Sequence, residues 1–69
     1  MEATQEKTYD VVAVDIETKN VDALFGDNNN EEDADAIVKL SVMARGCDEQ
    51  FYAKVKHGKY RVGDTWIGN

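Results

Sequence analysis

The sequence predicts a single α+β domain with one antiparallel sheet, in the order strand, strand, helix, strand, strand (ββαββ), and the helix packed on one face. Three observations lead there. Residues 8–17 are enriched in β-branched residues with Val12, Val14 and Ile16 at alternate positions, residues 51–56 alternate apolar and polar positions with a period of two, and residues 31–45 carry apolar side chains at helical spacing between a capping asparagine and a glycine. Turn-forming residues separate these stretches. With 69 residues the chain is one small domain with a modest core. Residues 1–7 read as a flexible, polar tail and residues 8–69 as the domain.

In the first strand Val12, Val14 and Ile16 alternate with Val11, Ala13 and Asp15, and the even positions are the better core face. The turn Thr18-Lys19-Asn20 leads to a second strand near Val21 to Phe25. A two-residue loop at Lys19-Asn20 would pair Ile16 with Ala23 and Val14 with Phe25, whereas a three-residue loop would pair Val14 with Leu24 and Ile16 with Asp22. The first is preferred because it keeps Asp22 off the apolar face.

Gly26-Asp27-Asn28-Asn29-Asn30 reads as a break, and Glu31 to Arg45 as the helix. Asn30 is its expected N-cap, Glu31, Glu32 and Asp33 suit the positive end of the helix dipole, and Gly46 suits the left-handed C′ position. Ile37, Leu40, Ser41 and Ala44 form the expected buried stripe, flanked by Ala34 and Val38, with Val42 and Met43 outside it. In the last third, Phe51, Ala53 and Val55 alternate with Tyr52, Lys54 and Lys56. A two-residue turn at His57-Gly58 would fold Lys59 to Val62 back as a fourth strand, pairing Lys56 with Lys59 and Val55 with Tyr60. Gly63-Asp64 is a further turn, and Tyr60, Val62 and Trp66 are read as rim of the core. The expected core is Val12, Val14, Ile16, Ile37, Leu40, Phe51, Ala53 and Val55. The second face of the sheet is expected to be charged and open to solvent.

Charge is sorted along the chain. Residues 1–36 hold eleven acids and two bases, net −9, while residues 37–69 hold three acids and six bases, net +3. If it survives folding, this asymmetry governs the choice of partner and the association rate rather than the fold. An overall charge of −6 opposes nonspecific attraction to DNA or an anionic membrane, and no apolar run approaches the roughly 20 residues of a membrane span. The single cysteine, Cys47, excludes an internal disulfide and fits a cytoplasmic location.

No catalytic signature is present. His57 is the only histidine and needs a carboxylate or thiol brought close by the fold before it can act as a base. Cys47 follows the negative end of the helix dipole, which raises a thiol pKa. Cys47 and His57 lack two further ligands at zinc spacing. The acidic run from Asp27 to Asp35 fails the calcium-loop pattern, because the required glycine falls at Glu32 and the terminal acid at Val38. Neither an enzyme nor a metal or cofactor is expected.

Three functions remain. The first is a small acidic protein-binding module, an inhibitor or modulator of a larger, nucleic-acid-handling host protein. It would meet a basic surface through Asp22, Asp27, Glu31, Glu32, Asp33 and Asp35, and with Glu2, Glu6 and Asp10 these carboxylates could imitate a row of DNA phosphates. The alternative is a nucleic-acid-binding module using Tyr52, Lys54, Lys56, Lys59 and Arg61, basic and aromatic residues on one face of the last hairpin. Against it stands neutralisation of that cluster by Asp15 and Glu17. The third is a homodimer built by edge-strand pairing, since proline is absent throughout and does not blunt the sheet edges.

Overall fold

In the computed structural model, which describes residues 7–46 and 48–68, the chain forms β1 (Tyr9–Asp15), β2 (Val21–Asn29), α1 (Glu31–Arg45) and β3 (Gln50–Lys56). The expectations for the tail residues 1–6 and for Cys47 lie outside the described residues. The three strands make one antiparallel sheet in the order β2-β1-β3. The α+β class holds. The ββαββ order does not, because the segment expected as a fourth strand leaves β3 and crosses the sheet.

The reason lies in the His57-Gly58 turn. Lys59 donates its N–H to the Lys56 carbonyl at 3.0 Å, so a turn forms where expected. Of the two central residues only Gly58 has a positive φ, 83°, which marks a type II turn. Two-residue hairpins use the primed types, and a type II turn splays its arms. The chain therefore diverges from β3, and residues 57–68 become a strap over one face of the sheet. The strap is fastened beyond β2, where Gly63 N–H donates to Val21 O (2.8 Å), Val21 N–H to Asp64 O (2.8 Å) and Trp66 N–H to Lys19 O (2.7 Å). A single bridge, Asn20 with Thr65, is all that remains of a fourth strand.

Both faces of the central strand are consequently covered. Val11, Val12, Ala13 and Val14 are all fully buried, so the expected open, charged face is absent. On the strap side Val12, Val14, Val21, Val55 and Tyr60 form the core, with Phe51, Ala53 and Trp66 packed against it. On the other side lie Val11 and Ala13 with their cross-strand neighbours Gly26, Ala23, Lys54 and Tyr52, beneath α1. Gly26 permits this approach, since a Cβ there would stand 2.8 Å from Ile37 Cδ1 and 2.9 Å from Asn29 Nδ2.

The first hairpin follows neither expected register. Val14 pairs with Val21 and Val12 with Leu24, and irregularities shift the pairing at three points. Asp15 sets the turn early: its Oδ1 accepts the amides of Glu17 and Thr18, both at 2.8 Å, so the strand ends at Asp15 and Ile16 is released to the surface. These two amides also hold the Asp15 carboxyl below its ordinary pKa. The expected break at Gly26 to Asn29 is instead the irregular end of β2, where Asn28 adopts φ 59°.

The helix has its expected bounds and caps. Asp33 N–H donates to Asn30 Oδ1 at 2.7 Å, and Gly46, with φ 77°, donates to Val42 O at 2.8 Å. Its buried stripe is rotated from expectation. Ala34 is buried and Ile37, Val38 and Ser41 are partly so, while Leu40 is 62% exposed and Ala44 is exposed. Polar anchoring explains the rotation, because Glu31 and Asp35 turn toward Lys54 on the sheet and carry Leu40 outward. Val62, expected at the core rim, is exposed on the strap; Tyr60 and Trp66 are the residues that turn inward.

Candidate functional site

The six acids expected to meet a partner separate into three groups. Glu31 and Asp35 each place a carboxylate oxygen 2.9 Å from Lys54 Nζ, and this double pairing holds the lysine charged beyond its usual range. Asp22, near the start of β2, accepts a hydrogen bond from the Gln50 side-chain amide at 3.0 Å. Asp27, Glu32 and Asp33 are exposed and make no ion pair among the described residues. These three flank the start of α1. Past them the outer side of the helix carries Ala36, Leu40 and Met43, of which Met43 is 73% exposed.

The basic set is not brought together. Tyr52 lies on the helix side, its ring 5.8 Å from that of Phe25, which is itself covered by Arg45 at 4.6 Å. Lys54 is taken up by the helix and stands 5.1 Å from the Tyr9 ring. Lys56 ends β3, and Lys59 and Arg61 lie on the strap, with Lys59 5.7 Å above the Tyr60 ring and the Arg61 amide bonded to Asp64. A hairpin face of five basic and aromatic groups does not form. Lys54 is neutralised within the protein by Glu31 and Asp35, not by Asp15 and Glu17. The charge sorting of the sequence is thereby partly undone, since β1 of the acidic half sits directly beside β3 of the basic half.

The fold does bring a carboxylate to His57. Asp10 is 2% exposed, and its Oδ1 lies 2.7 Å from His57 Nδ1 and accepts the Asn28 amide at 2.9 Å, while Oδ2 accepts the Gly58 amide at 3.0 Å. Burial alone would raise the Asp10 pKa. The hydrogen bonds from Gly58, His57 and Asn28 outweigh it, and the carboxyl is held below its ordinary value. Every one of these bonds ties chain to chain: the irregular end of β2, the middle strand and the strap turn meet at one side chain. The arrangement is that of a structural clasp. The signal for it in the sequence is an acid set inside the apolar run Tyr9 to Val14, where a charge is retained only with partners.

At the opposite end of the sheet, Asp15, Ile16, Glu17, Asp48 and Glu49 line a shallow hollow of about 460 Å³. A second hollow of about 310 Å³ beside it is lined by Arg45, Gly46, Asp48, Glu49, Gln50 and Tyr52. Neither reaches Asp10 or His57. Among the described residues no three histidine, cysteine or carboxylate side chains converge as metal ligands, and no helix is long and apolar enough to cross a membrane.

No protein-family model matches the chain, and neither a curated protein nor a solved structure was found to match it.

Proposed function

We propose that this chain is a small, non-enzymatic protein-binding module that meets a basic protein surface through the start of α1. The supporting observation is the division of labour among its acids. Glu31 and Asp35 are engaged with Lys54 on the sheet, which leaves Asp27, Glu32 and Asp33 as exposed carboxylates with no ion pair among the described residues. Beside them Leu40 and Met43 offer an apolar centre, and a charged rim around an apolar anchor is the usual anatomy of a protein interface. A host protein that handles nucleic acid fits this reading best, because its basic groove would take exposed carboxylates in place of phosphates and would be inhibited or modulated by them. A cytoplasmic setting belongs to the same proposal and rests on the single cysteine.

Affinity capture from the native lysate, with and without nuclease, identifies the partner. Stopped-flow association with that partner then tests the surface. Replacing Asp27, Glu32 and Asp33 by their amides should slow association several-fold and flatten its salt dependence, since rim charges act on encounter. Unchanged rates from a variant with intact helix content would remove this surface from the proposal. Capture that disappears on nuclease treatment would overturn it in favour of a nucleic-acid contact.

A further inference from the structure

The two edges of the sheet differ in a way that points to self-association. The β2 edge is blunted: its pairing with β1 slips three times, residues 63–66 cover its start, and Asp22 and Asp27 punctuate it. The β3 edge is less protected: Lys54 and Lys56 are its charges, and only its last carbonyl, that of Lys56, is already taken, by the Lys59 N–H at 3.0 Å. All seven residues from Gln50 to Lys56 pair with Asp15 to Tyr9 in one unbroken register, and the strand contains neither an acid nor a proline.

The backbone direction of β3 follows from its flanks. His57 N–H donates to Thr8 O at 3.0 Å and Glu49 O accepts from Ile16 N–H at 2.9 Å, so the odd-numbered residues of β3 turn their peptide groups toward β1. In an antiparallel ladder the alternate residues turn theirs away. The N–H groups of Gln50, Tyr52, Lys54 and Lys56 therefore face the open side, where no other strand of the described residues lies.

We propose that this edge binds β3 of a second copy of the chain, antiparallel and centred on Ala53, to give a continuous six-stranded sheet. The strand is self-complementary in that register. Tyr52 stands opposite Lys54 of the second copy as a hydrogen-bonded pair, once on each side of the axis, while Phe51 stands opposite Val55 on the strap side; Gln50 falls opposite Lys56, whose carbonyl is already bonded to Lys59. Just beyond the strand, Glu49 meets His57 of the second copy. No like charges oppose one another. Moving the centre to Lys54 would set two lysines face to face, which is unfavourable. Moving it to Tyr52 would strand Lys56 beyond the end of the ladder. The twofold axis is normal to the sheet, so both helices share one face and both straps the other. This dimer is independent of the partner surface on α1.

Sedimentation equilibrium on the full chain should show a reversible monomer–dimer equilibrium. Tyr52→Lys and Tyr52→Glu lose the same ring contact with Phe25, so the difference between them reports the pairing opposite Lys54. The lysine variant should dimerise about tenfold more weakly than the glutamate variant. Ala53 lies on the axis in a non-hydrogen-bonded pair, with a Cα separation of about 4.5 Å that a disulfide can span. Ala53→Cys in a Cys47→Ser background should thus form a covalent dimer on mild oxidation, and Val62→Cys in the same background should not. A chain that stays monomeric to about 1 mM overturns the proposal and leaves the edge to a strand from another protein. Equal dimerisation of the two Tyr52 variants, or no crosslink at Ala53→Cys, overturns the register.

Discussion

The two faces of the sheet are covered by different means. On one side a strap with no regular secondary structure supplies Tyr60, which is 5% exposed, and Trp66, whose ring stacks on Tyr60 at 5.2 Å and meets the edge of Phe51 at 5.3 Å. On the other side a helix of fifteen residues fully buries only Ala34 and is anchored by Lys54. The irregular element makes the larger apolar contribution. Aromatic rings cover more area than alanine or isoleucine, and backbone bonds to Lys19 and Val21 hold the strap as a ladder would hold a strand. The Tyr60 hydroxyl completes the arrangement by donating to Gly68 O at 2.6 Å and accepting the Ile67 amide at 3.0 Å. Cover for a sheet therefore depends on side-chain area and on fastening, not on regularity of the cover.

The largest effects should come from the strap. Trp66→Ala should destabilise the protein by about 3–4 kcal/mol, a large share of the total for so small a domain. Ile37→Ala, on the helix side and only half-buried, should cost about 1–2 kcal/mol. Urea denaturation of both variants gives the comparison directly. A greater loss at Ile37 than at Trp66 would reverse it.

The clasp at Asp10 should come next. Asp10→Asn keeps the size of the side chain but removes its charge and sets an amide donor against a buried backbone donor, the Gly58 N–H in the better of its two orientations, and should cost about 2–3 kcal/mol. The pH dependence has a definite sign. A carboxyl whose folded pKa lies below its unfolded value of about 3.9 adds stability above that pH, and this is lost as pH falls through the folded pKa. Asp15 is shifted the same way by its turn amides. Acid titration of stability in the native chain and in Asp10→Asn separates the two: the variant should lose less between about pH 4 and the acid limit. Parallel acid profiles would mean that the strap does not depend on Asp10.

What could be read in the sequence follows the range of the interactions. The bounds and caps of α1 were legible because Asn30, Asp33 and Gly46 act within a few residues of one another, and the alternation of Phe51, Ala53 and Val55 placed β3. The path after His57-Gly58 was not. A histidine-glycine pair is compatible with several turn types, and here the choice is tied to Asp10, 48 residues from Gly58. Burial of both faces of β1 followed from that path, which is why Val11 and Ala13 turned out as buried as Val12 and Val14. The acidic set was legible as composition but not as function, since nothing local distinguishes Glu31 and Asp35, which hold Lys54, from Glu32 and Asp33, which hold nothing among the described residues.

The smallest effect should come from the charges beneath the helix. The Lys54 side chain is 24% exposed, and Glu31 and Asp35 are more exposed still, at 64% and 62%, so solvent screens much of the attraction. Lys54→Met keeps an aliphatic side chain but gives up the ion pairs and the contact of Nζ with the Tyr9 ring, and should move Tm by about 4 °C or less. Its signature is at high pH. A lysine whose folded pKa is raised adds stability that is fully present below its unfolded value of about 10.4, and that contribution is lost as pH rises through the folded pKa. The native chain should accordingly weaken more than Lys54→Met above about pH 10.4, whereas around neutral pH, with both carboxylates and the lysine charged, the two should differ little in slope. If Lys54→Met were instead as damaging as Trp66→Ala, the helix face would be held chiefly by charge, and the contrast between an aromatic strap and a lightly anchored helix would fail.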